Sequence, residues 1–186
     1  MHMFASAGLT PNTVTLIAII GSVIIGTFVS FAAIRPAFLL LLPAWLFVRM
    51  ALNAIDGMMA RELDMFTALG AVLNELGDVV SDLALYLPLT FVYQPARWPV
   101  VAFSFGAMLT EFCGVLGQAV GASRRYDGPM GKSDRAFVVG ALSLVTYLFP
   151  DVVKAWPWIF AVAALLTAVT CVNRASKALK EFLAPN

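Results

Sequence analysis

Residues 53–82 read NAIDGMMARELDMFTALGAVLNELGDVVSD, in a chain that has few other acidic residues. At about 100° per residue, a helical segment places side chains three or four positions apart on one face. Two polar stripes result: Asn53 and Asp56, with Arg49 one turn earlier, and then Asn74, Asp78 and Asp82. Two helices joined by a short polar hairpin would bring the stripes together. We therefore predict a cluster of oxygen ligands without basic neighbours, an environment that suits Mg²⁺ or Mn²⁺.

The composition places this cluster in a membrane protein. Of 186 residues, 61% are hydrophobic and 12% are charged, and the mean hydropathy is +0.88, which excludes an ordinary soluble globular domain. Apolar runs of about 20 residues are long enough to span a bilayer. Six occur, at approximately 13–34, 37–60, 71–93, 98–121, 134–150 and 156–174. We predict an all-α, polytopic membrane protein with one transmembrane catalytic domain over residues 1–186.

The basic residues predict the orientation of these spans. With six spans, both chain ends lie on one side of the membrane, and that side also holds the hairpins near 61–70 and 122–133. It collects Arg61, Arg124, Arg125, Lys132, Arg135, Arg174, Lys177 and Lys180. The opposite side holds Arg35, Arg97 and Lys154. This bias predicts that the termini and the polar stretch are cytoplasmic. The net charge of +1 gives no indication of a nucleic-acid partner.

Three residues within the polar stretch suit a phosphate ester. Gly57 and Gly70 lack side chains, so the backbone can approach a bulky ligand closely. Arg61 carries a planar guanidinium whose donors match phosphate oxygens. Ionisable groups at membrane depth usually mark a polar pathway or a reaction centre. The combination indicates metal-assisted chemistry on a phosphate ester at a membrane surface.

The pattern resembles the signature of the CDP-alcohol phosphatidyltransferases, Asp-x2-Asp-Gly-x2-Ala-Arg-x8-Gly-x3-Asp-x3-Asp. The corresponding positions, with every spacing kept, are Asn53, Asp56, Gly57, Ala60, Arg61, Gly70, Asn74 and Asp78. The resemblance covers essentially the whole chain. It is closest to a bacterial inner-membrane branch of the family that has Asn-Glu-x2-Asp in the second half of the motif, which implies the same location here.

Two positions depart from the signature. Asn53 and Asn74 stand where the family has aspartates that bridge two metal ions, and an amide oxygen brings no negative charge. Glu75 and Asp82 are extra acids nearby that can compensate. In a shifted register, Asp78 and Asp82 would be the last pair, but Asn74 would then stand where the glycine belongs.

The resemblance implies a reaction and a set of site residues. A phosphatidyl group would move from CDP-diacylglycerol to a polar alcohol with release of CMP, in phospholipid biosynthesis. One or two Mg²⁺ or Mn²⁺ ions would bind Asn53, Asp56, Asn74 and Asp78, and Asp78 would be the general base. Donor-binding positions would be Asn12, Thr15, Gly57, Ala60, Arg61, Thr67 and Gly70. A homodimer is also implied. The family usually has an amphipathic interfacial helix ahead of residue 10, and we expect it to be missing or truncated here.

The acceptor site is expected in the basic loop 123–135. Gly131, Lys132 and Ser133 form a potential anion seat at the start of a helix, since backbone N–H groups there lack partners. Basic residues of this region line the acceptor pocket in the family, which implies roles for Lys132 and Arg135. The basic loop favours a phosphorylated acceptor. Binding that is indifferent to the phosphate would contradict this.

Alternatives remain open. Because of Asn53 and Asn74, the protein is alternatively a CDP-lipid-binding protein without turnover. A cation transporter is a third class, but it gives no reason for the retained spacing of the glycines and Arg61. Arg49 either extends to the membrane interface or balances the nearby acids. Glu111 either packs as a buried acid or serves acceptor recognition. The basic segment 173–180 is expected to be a surface anchor.

Overall fold

The protein folds into six α-helices without a β-strand in the computed structural model, which describes residues 8–184. The helices are α1 Pro11–Val29, α2 Leu41–Glu62, α3 Ala68–Tyr86, α4 Arg97–Ala119, α5 Lys132–Leu148 and α6 Trp156–Leu183. Short 3₁₀ segments precede α2, α4 and α6, and each has proline within its first two residues. The all-α prediction is confirmed. The expectation for an amphipathic helix ahead of residue 10 falls largely on residues 1–7, outside the described range.

Each predicted span overlaps one helix, but only some helices qualify as membrane spans by length and composition. The four that do are α1 and, each counted with its preceding 3₁₀ segment, α2, α4 and α6. Helix α3 carries three carboxylates, and α5 has 17 residues in the described structure. The number of six membrane crossings therefore stays a prediction.

The apolar core lies where α3 ends and α4 and α6 begin. Its aromatic members are Tyr86, Phe103, Trp156 and Phe160, all fully buried. Their ring centroids are 5.3 to 5.5 Å apart, as is usual for packed aromatic pairs. Helix α1 packs against both α2 and α3, while α4 packs along α6. Helices α2 and α3, which carry the motif, make little direct backbone contact, and this leaves a gap between them.

Buried ion pairs bridge this gap. The Asp82 carboxylate on α3 accepts a hydrogen bond at 2.5 Å from Arg49 Nη1 on α2. Its other oxygen accepts from Arg135 Nη2 on α5 at 2.9 Å. Arg135 Nη2 also donates to Glu111 Oε1 on α4 at 2.7 Å. Since Arg135 is 0% and Asp82 2% exposed, these charges bind one another rather than water, and four helices are joined through them.

The loop between α4 and α5 is anchored along α6. Asp127 accepts a hydrogen bond at 2.6 Å from Lys177 Nζ, and this bond holds the pKa of Asp127 below its usual value. The backbone N–H of Met130 donates to Thr170 Oγ1 at 3.0 Å. Gly128 has a φ of +127°, and a side chain there would collide with Thr170. These contacts place the loop against the polar end of the bundle.

We predict that Asp82→Asn strongly destabilises the protein. The substitution leaves two buried guanidinium groups facing one neutral amide, and breaking a buried ion pair in this way costs about 3–5 kcal/mol. The measurement is thermal unfolding in detergent. The matched control is Asp151→Asn. Asp151 pairs with Lys154 at the exposed surface, so this substitution should leave the unfolding midpoint unchanged. Equal unfolding midpoints for the two variants would show that the buried ion pairs contribute no more to stability than the exposed pair does.

Candidate active site

A cavity of about 790 Å³ opens at the polar end of the bundle. Its walls come from the first turns of α1, α3 and α5, the last turns of α2 and α4, the loop after α4, and α6. Most residues predicted for the site line it: Asn12, Thr15, Asn53, Asp56, Gly57, Ala60, Arg61, Thr67, Gly70, Asn74, Glu75, Asp78, Lys132 and Ser133. The structure thus brings both halves of the motif to one cavity, together with the start of α5.

Two carboxylates of the motif have defined partners. Asp56 Oδ2 accepts a hydrogen bond from Thr15 Oγ1 at 2.7 Å. Asp78 Oδ1 forms an ion pair with Lys132 Nζ and lies 3.4 Å from Arg49 Nη2. Asn53 Nδ2 approaches the same oxygen at 3.5 Å. The prediction of an acidic cluster without basic neighbours is therefore wrong at Asp78, because Arg49 of the predicted α2 stripe and Lys132 from the start of α5 both supply cations.

The oxygen atoms of the motif residues suit a hard divalent cation. No group of three or more carboxylate, imidazole or thiolate side chains suited to a metal occurs in residues 8–184. Asp56 and Asp78 offer two carboxylates, and Asn53 and Asn74 can add neutral carbonyl oxygens. Such an all-oxygen set is what Mg²⁺ and Mn²⁺ prefer. Two carboxylates match the charge of a single divalent ion.

Three of the expected donor-binding residues, Asn12, Thr67 and Gly70, form one wall of the cavity. Thr67 is the N-cap of α3, where its Oγ1 accepts a hydrogen bond at 2.9 Å from the Gly70 N–H. Asn12 Nδ2 approaches the same hydroxyl at 3.4 Å, which links the starts of α1 and α3. Thr10 caps α1 by accepting from the Thr13 N–H at 3.2 Å. Capping at both helix starts agrees with their residue types and orients this wall.

Two predicted site residues lie outside the cavity wall. Asp82 is enclosed between Arg49 and Arg135, so both of its oxygens are already bound, and it is absent from the cavity lining that holds Asp56 and Asp78. Arg135 is fully buried, bound to Asp82, Glu111 and the Thr110 hydroxyl. Both residues lie beneath the cavity lining, where they hold the helices in place and do not face the cavity.

Polar residues beyond the predicted site also line the cavity, among them Glu111, Gln118, Arg124 and Tyr126. Arg124 Nη2 donates to Glu75 Oε2 at 2.6 Å and to Glu111 Oε2 at 3.2 Å. Its guanidinium carbon lies 4.4 Å from the centroid of the Tyr126 ring. Burial alone would lower the pKa of Arg124, but the hydrogen bond and charge of Glu75 outweigh burial and raise it. The two consecutive arginines at 124 and 125 are visible in the sequence and indicate a possible site, but the sequence does not show which acids they bind.

The structure distinguishes the expected roles of two basic residues. Arg49 is buried and binds Asp78 and Asp82, so it balances the nearby acids and does not extend to the membrane interface. Arg174, expected in a surface anchor, is 2% exposed and lines the cavity. It lies 3.7 Å from Glu111 and donates to the backbone carbonyl of Thr110. The available signal was that Arg174 is the first charge after the apolar stretch of α6.

Comparison with known proteins identifies the family. The CDP-alcohol phosphatidyltransferase profile matches residues 8–172. The chain belongs to this family. It is 44% identical over 170 residues to the inner membrane protein YnbA of Escherichia coli strain K12, and the match covers 91% of this chain and 84% of YnbA. It is thus a membrane-embedded transferase of the CDP-alcohol phosphatidyltransferase class.

Solved structures show the same fold. Phosphatidylinositol phosphate synthase PgsA1 of Mycobacterium tuberculosis, in complex with manganese and citrate, superposes with a TM-score of 0.81 at 22% identity, over 100% of this chain and 90% of PgsA1. The PgsA1 structure with CDP-DAG bound gives a TM-score of 0.78 at 22% identity, over 100% and 95% of the two chains. At this identity the likeness concerns the fold.

We predict that Gly70→Ala weakens binding of a CDP-lipid more than Gly57→Ala does. A Cβ at residue 70 would lie 2.5 Å from Asn12 Oδ1 and 2.9 Å from Thr67 Oγ1, whereas one at residue 57 would meet only Arg61 Nη2 at 3.6 Å. Displacing the donor wall by a fraction of an ångström should weaken binding roughly tenfold. Titration of each purified variant with CDP-diacylglycerol measures this, and equal affinities would contradict it.

Proposed function

We propose that the protein transfers a phosphatidyl group from CDP-diacylglycerol to a polar alcohol and releases CMP, with Mg²⁺ or Mn²⁺ as cofactor. One observation carries the proposal: Asp56, Asp78 and Arg61 line the same cavity as both motif asparagines. The PgsA1 structures with manganese and with CDP-DAG support the choice of metal and donor. Family membership supports the type of reaction.

Two carboxylates and one guanidinium divide the work on the donor. Asp56 and Asp78, with Asn53 and Asn74, would hold the divalent ion. When bound, the ion would neutralise the diphosphate and stabilise charge on the departing CMP. Arg61 lines the cavity and has no ion-pair partner within residues 8–184. Its guanidinium is therefore free to bind donor phosphate oxygens.

Asp78 is proposed as the general base. Its carboxylate would take the proton from the acceptor hydroxyl, whose oxygen attacks the phosphorus that bears the diacylglycerol. A new oxygen–phosphorus bond forms, and the bond from that phosphorus to the oxygen of CMP breaks. Lys132 and Arg49 hold the carboxylate in place, so it approaches the hydroxyl in one orientation.

We further propose a location and an assembly. The inner-membrane location of YnbA and the distribution of basic residues support the bacterial inner membrane, with termini and active site cytoplasmic. A cytoplasmic interface lets a lipid-embedded donor meet a water-soluble acceptor. Six membrane crossings in one catalytic domain and a homodimer remain part of the proposal, and family resemblance supports them.

Binding without turnover is the second candidate function, and the structure offers one reason for it. Asn53 and Asn74 remove two negative charges from the motif, and Lys132 pairs with one of the two remaining carboxylates. If Lys132 and the two amides prevented metal binding, the cavity would hold the CDP-lipid without cleaving it.

We predict metal-dependent CMP release that is lost in Asp78→Asn. Removing a general base slows such a step by about 10²–10⁴-fold. The assay follows CMP from CDP-diacylglycerol with purified protein in detergent, with and without Mg²⁺ or Mn²⁺, across a panel of alcohols. Asp64→Asn is the matched control, because Asp64 is exposed in the turn before α3 and outside the cavity lining. Absence of CMP release from the unmodified protein, together with intact CDP-lipid binding, would establish the second candidate.

We predict that Asn53→Asp with Asn74→Asp increases the affinity for Mn²⁺. Two added carboxylates raise the negative charge of the metal-binding group, and affinity in all-oxygen sites rises with ligand charge, here by about tenfold or more. Electron paramagnetic resonance of free Mn²⁺ during titration measures it without reference to activity. Asn173→Asp, the same change on α6 outside the cavity lining, is the control. An unchanged affinity would show that residues 53 and 74 do not contact the ion.

A further inference from the structure

The cavity has more carboxylates than basic groups. Four basic residues line it: Arg61, Arg124, Lys132 and Arg174. Five acidic residues line it: Asp56, Glu75, Asp78, Glu111 and Asp134. A divalent ion and the diphosphate of a CDP-lipid carry about equal and opposite charges. Behind the wall, Arg49 and Arg135 add two positive charges and Asp82 adds one negative charge, and these groups pair with one another and with Asp78 and Glu111. The acidic and basic groups then balance, so the cavity has no surplus positive charge for a second phosphate.

Three of the four basic groups already have acidic partners. Lys132 binds Asp78. Arg174 lies 3.7 Å from Glu111 and also binds backbone carbonyls. Arg124 binds both Glu75 and Glu111. Arg61 alone has no such partner in the described part of the chain, and the donor diphosphate is its proposed ligand.

The start of α5 is also occupied. Asp134 Oδ2 accepts a hydrogen bond at 2.9 Å from the Gly131 N–H, so a carboxylate of the chain already lies at this helix N-terminus. The expected anion seat at Gly131, Lys132 and Ser133 therefore has an internal anion. The expectation of a phosphorylated acceptor counted the basic residues of the loop and left out the acids that bind them.

Glu75 is the acid best placed to control the acceptor. Its side chain is 27% exposed, whereas that of Arg124 is 12% and that of Glu111 5% exposed. Glu75 therefore neutralises Arg124 from the accessible side of the cavity. A phosphate approaching Arg124 would have to displace this carboxylate or lie beside it, and an unpaired like charge in a half-buried site is strongly disfavoured.

We propose that the acceptor alcohol has no net negative charge, and that Glu75 sets this specificity by keeping Arg124 in an ion pair. The inference rests on the phosphatidyl transfer proposed above. Hydroxyl groups of a neutral polyol can donate to the exposed Glu75 oxygens without breaking the pair. The acceptor class is therefore a small polyol or a zwitterionic alcohol rather than its phosphate ester.

The test compares acceptors that differ only in the phosphate: glycerol with glycerol 3-phosphate, and inositol with inositol phosphate. CMP release with CDP-diacylglycerol and Mg²⁺ gives kcat/KM for each. We expect the unmodified protein to favour the unphosphorylated member of a pair by about tenfold or more. In Glu75→Gln the ratio should shift towards the phosphorylated member by about tenfold or more, because Arg124 gains a free charge.

Two further variants connect the shift to Arg124. Glu75→Gln with Arg124→Gln should lose the gain for phosphorylated acceptors, since the released cation is absent. Glu62→Gln, at the exposed end of α2, should behave as the unmodified protein. Inorganic phosphate gives an independent reading: it should inhibit Glu75→Gln at concentrations that leave the unmodified protein unaffected.

The outcomes separate this inference from the function on which it rests. CMP release that prefers the phosphorylated member in the unmodified protein overturns the inference alone. Loss of activity in Glu75→Gln with every acceptor, accompanied by weaker Mn²⁺ binding, would make Glu75 a metal ligand instead and would also overturn it. If no acceptor supports CMP release, the proposed transfer is wrong and the inference falls with it.

Discussion

The Asp82 carboxylate, held between Arg49 and Arg135, is the interaction on which the polar half of the bundle depends. All three side chains are almost fully buried, and they come from α3, α2 and α5. Charges removed from water are costly unless each finds a partner, so this group is stable only in the arrangement that pairs all of them. Since α2 and α3 make little other contact, the ion pairs determine how these two helices face each other.

This constraint reaches the proposed active site through helical spacing. Asp78 precedes Asp82 by one turn of α3, and Asn53 follows Arg49 by one turn of α2. Orienting Arg49 towards Asp82 therefore turns both motif stripes to the same side of the gap. Arg49 adds a direct contact to Asp78. Asp82 and Arg135 are thus structural groups that position the motif residues lining the cavity, which explains why they remain behind the cavity wall.

The sequence allowed prediction of whatever depends on residues close together along the chain. Helical spacing placed the motif residues on common faces, and apolar runs located the helices to within a few residues at most boundaries. The sequence did not allow prediction of the partners that come from distant helices. Asp82 meets Arg135 across 53 positions and Arg49 across 33, and no local pattern distinguishes these pairs from other combinations of acids and arginines. Hence Asp82 was predicted near the metal and Arg174 on the surface.

Pairing also changes what the charges of the loop mean. From its residue types alone, the segment 123–135 is strongly basic and suggests an anionic ligand. In the structure, however, a carboxylate from α3, α4, α6 or the loop itself pairs with each of its four basic residues, Arg124, Arg125, Lys132 and Arg135. A charge that already has a close, partly desolvated counterion offers little to a ligand, because the ligand must first displace that counterion. Arg61 has no such counterion in the described chain, and it belongs to the motif that the family uses on its phosphate-containing donor. In the proposed reaction, electrostatic attraction in this cavity would therefore be directed at the donor, while acceptor binding would depend on hydrogen bonds from hydroxyl groups.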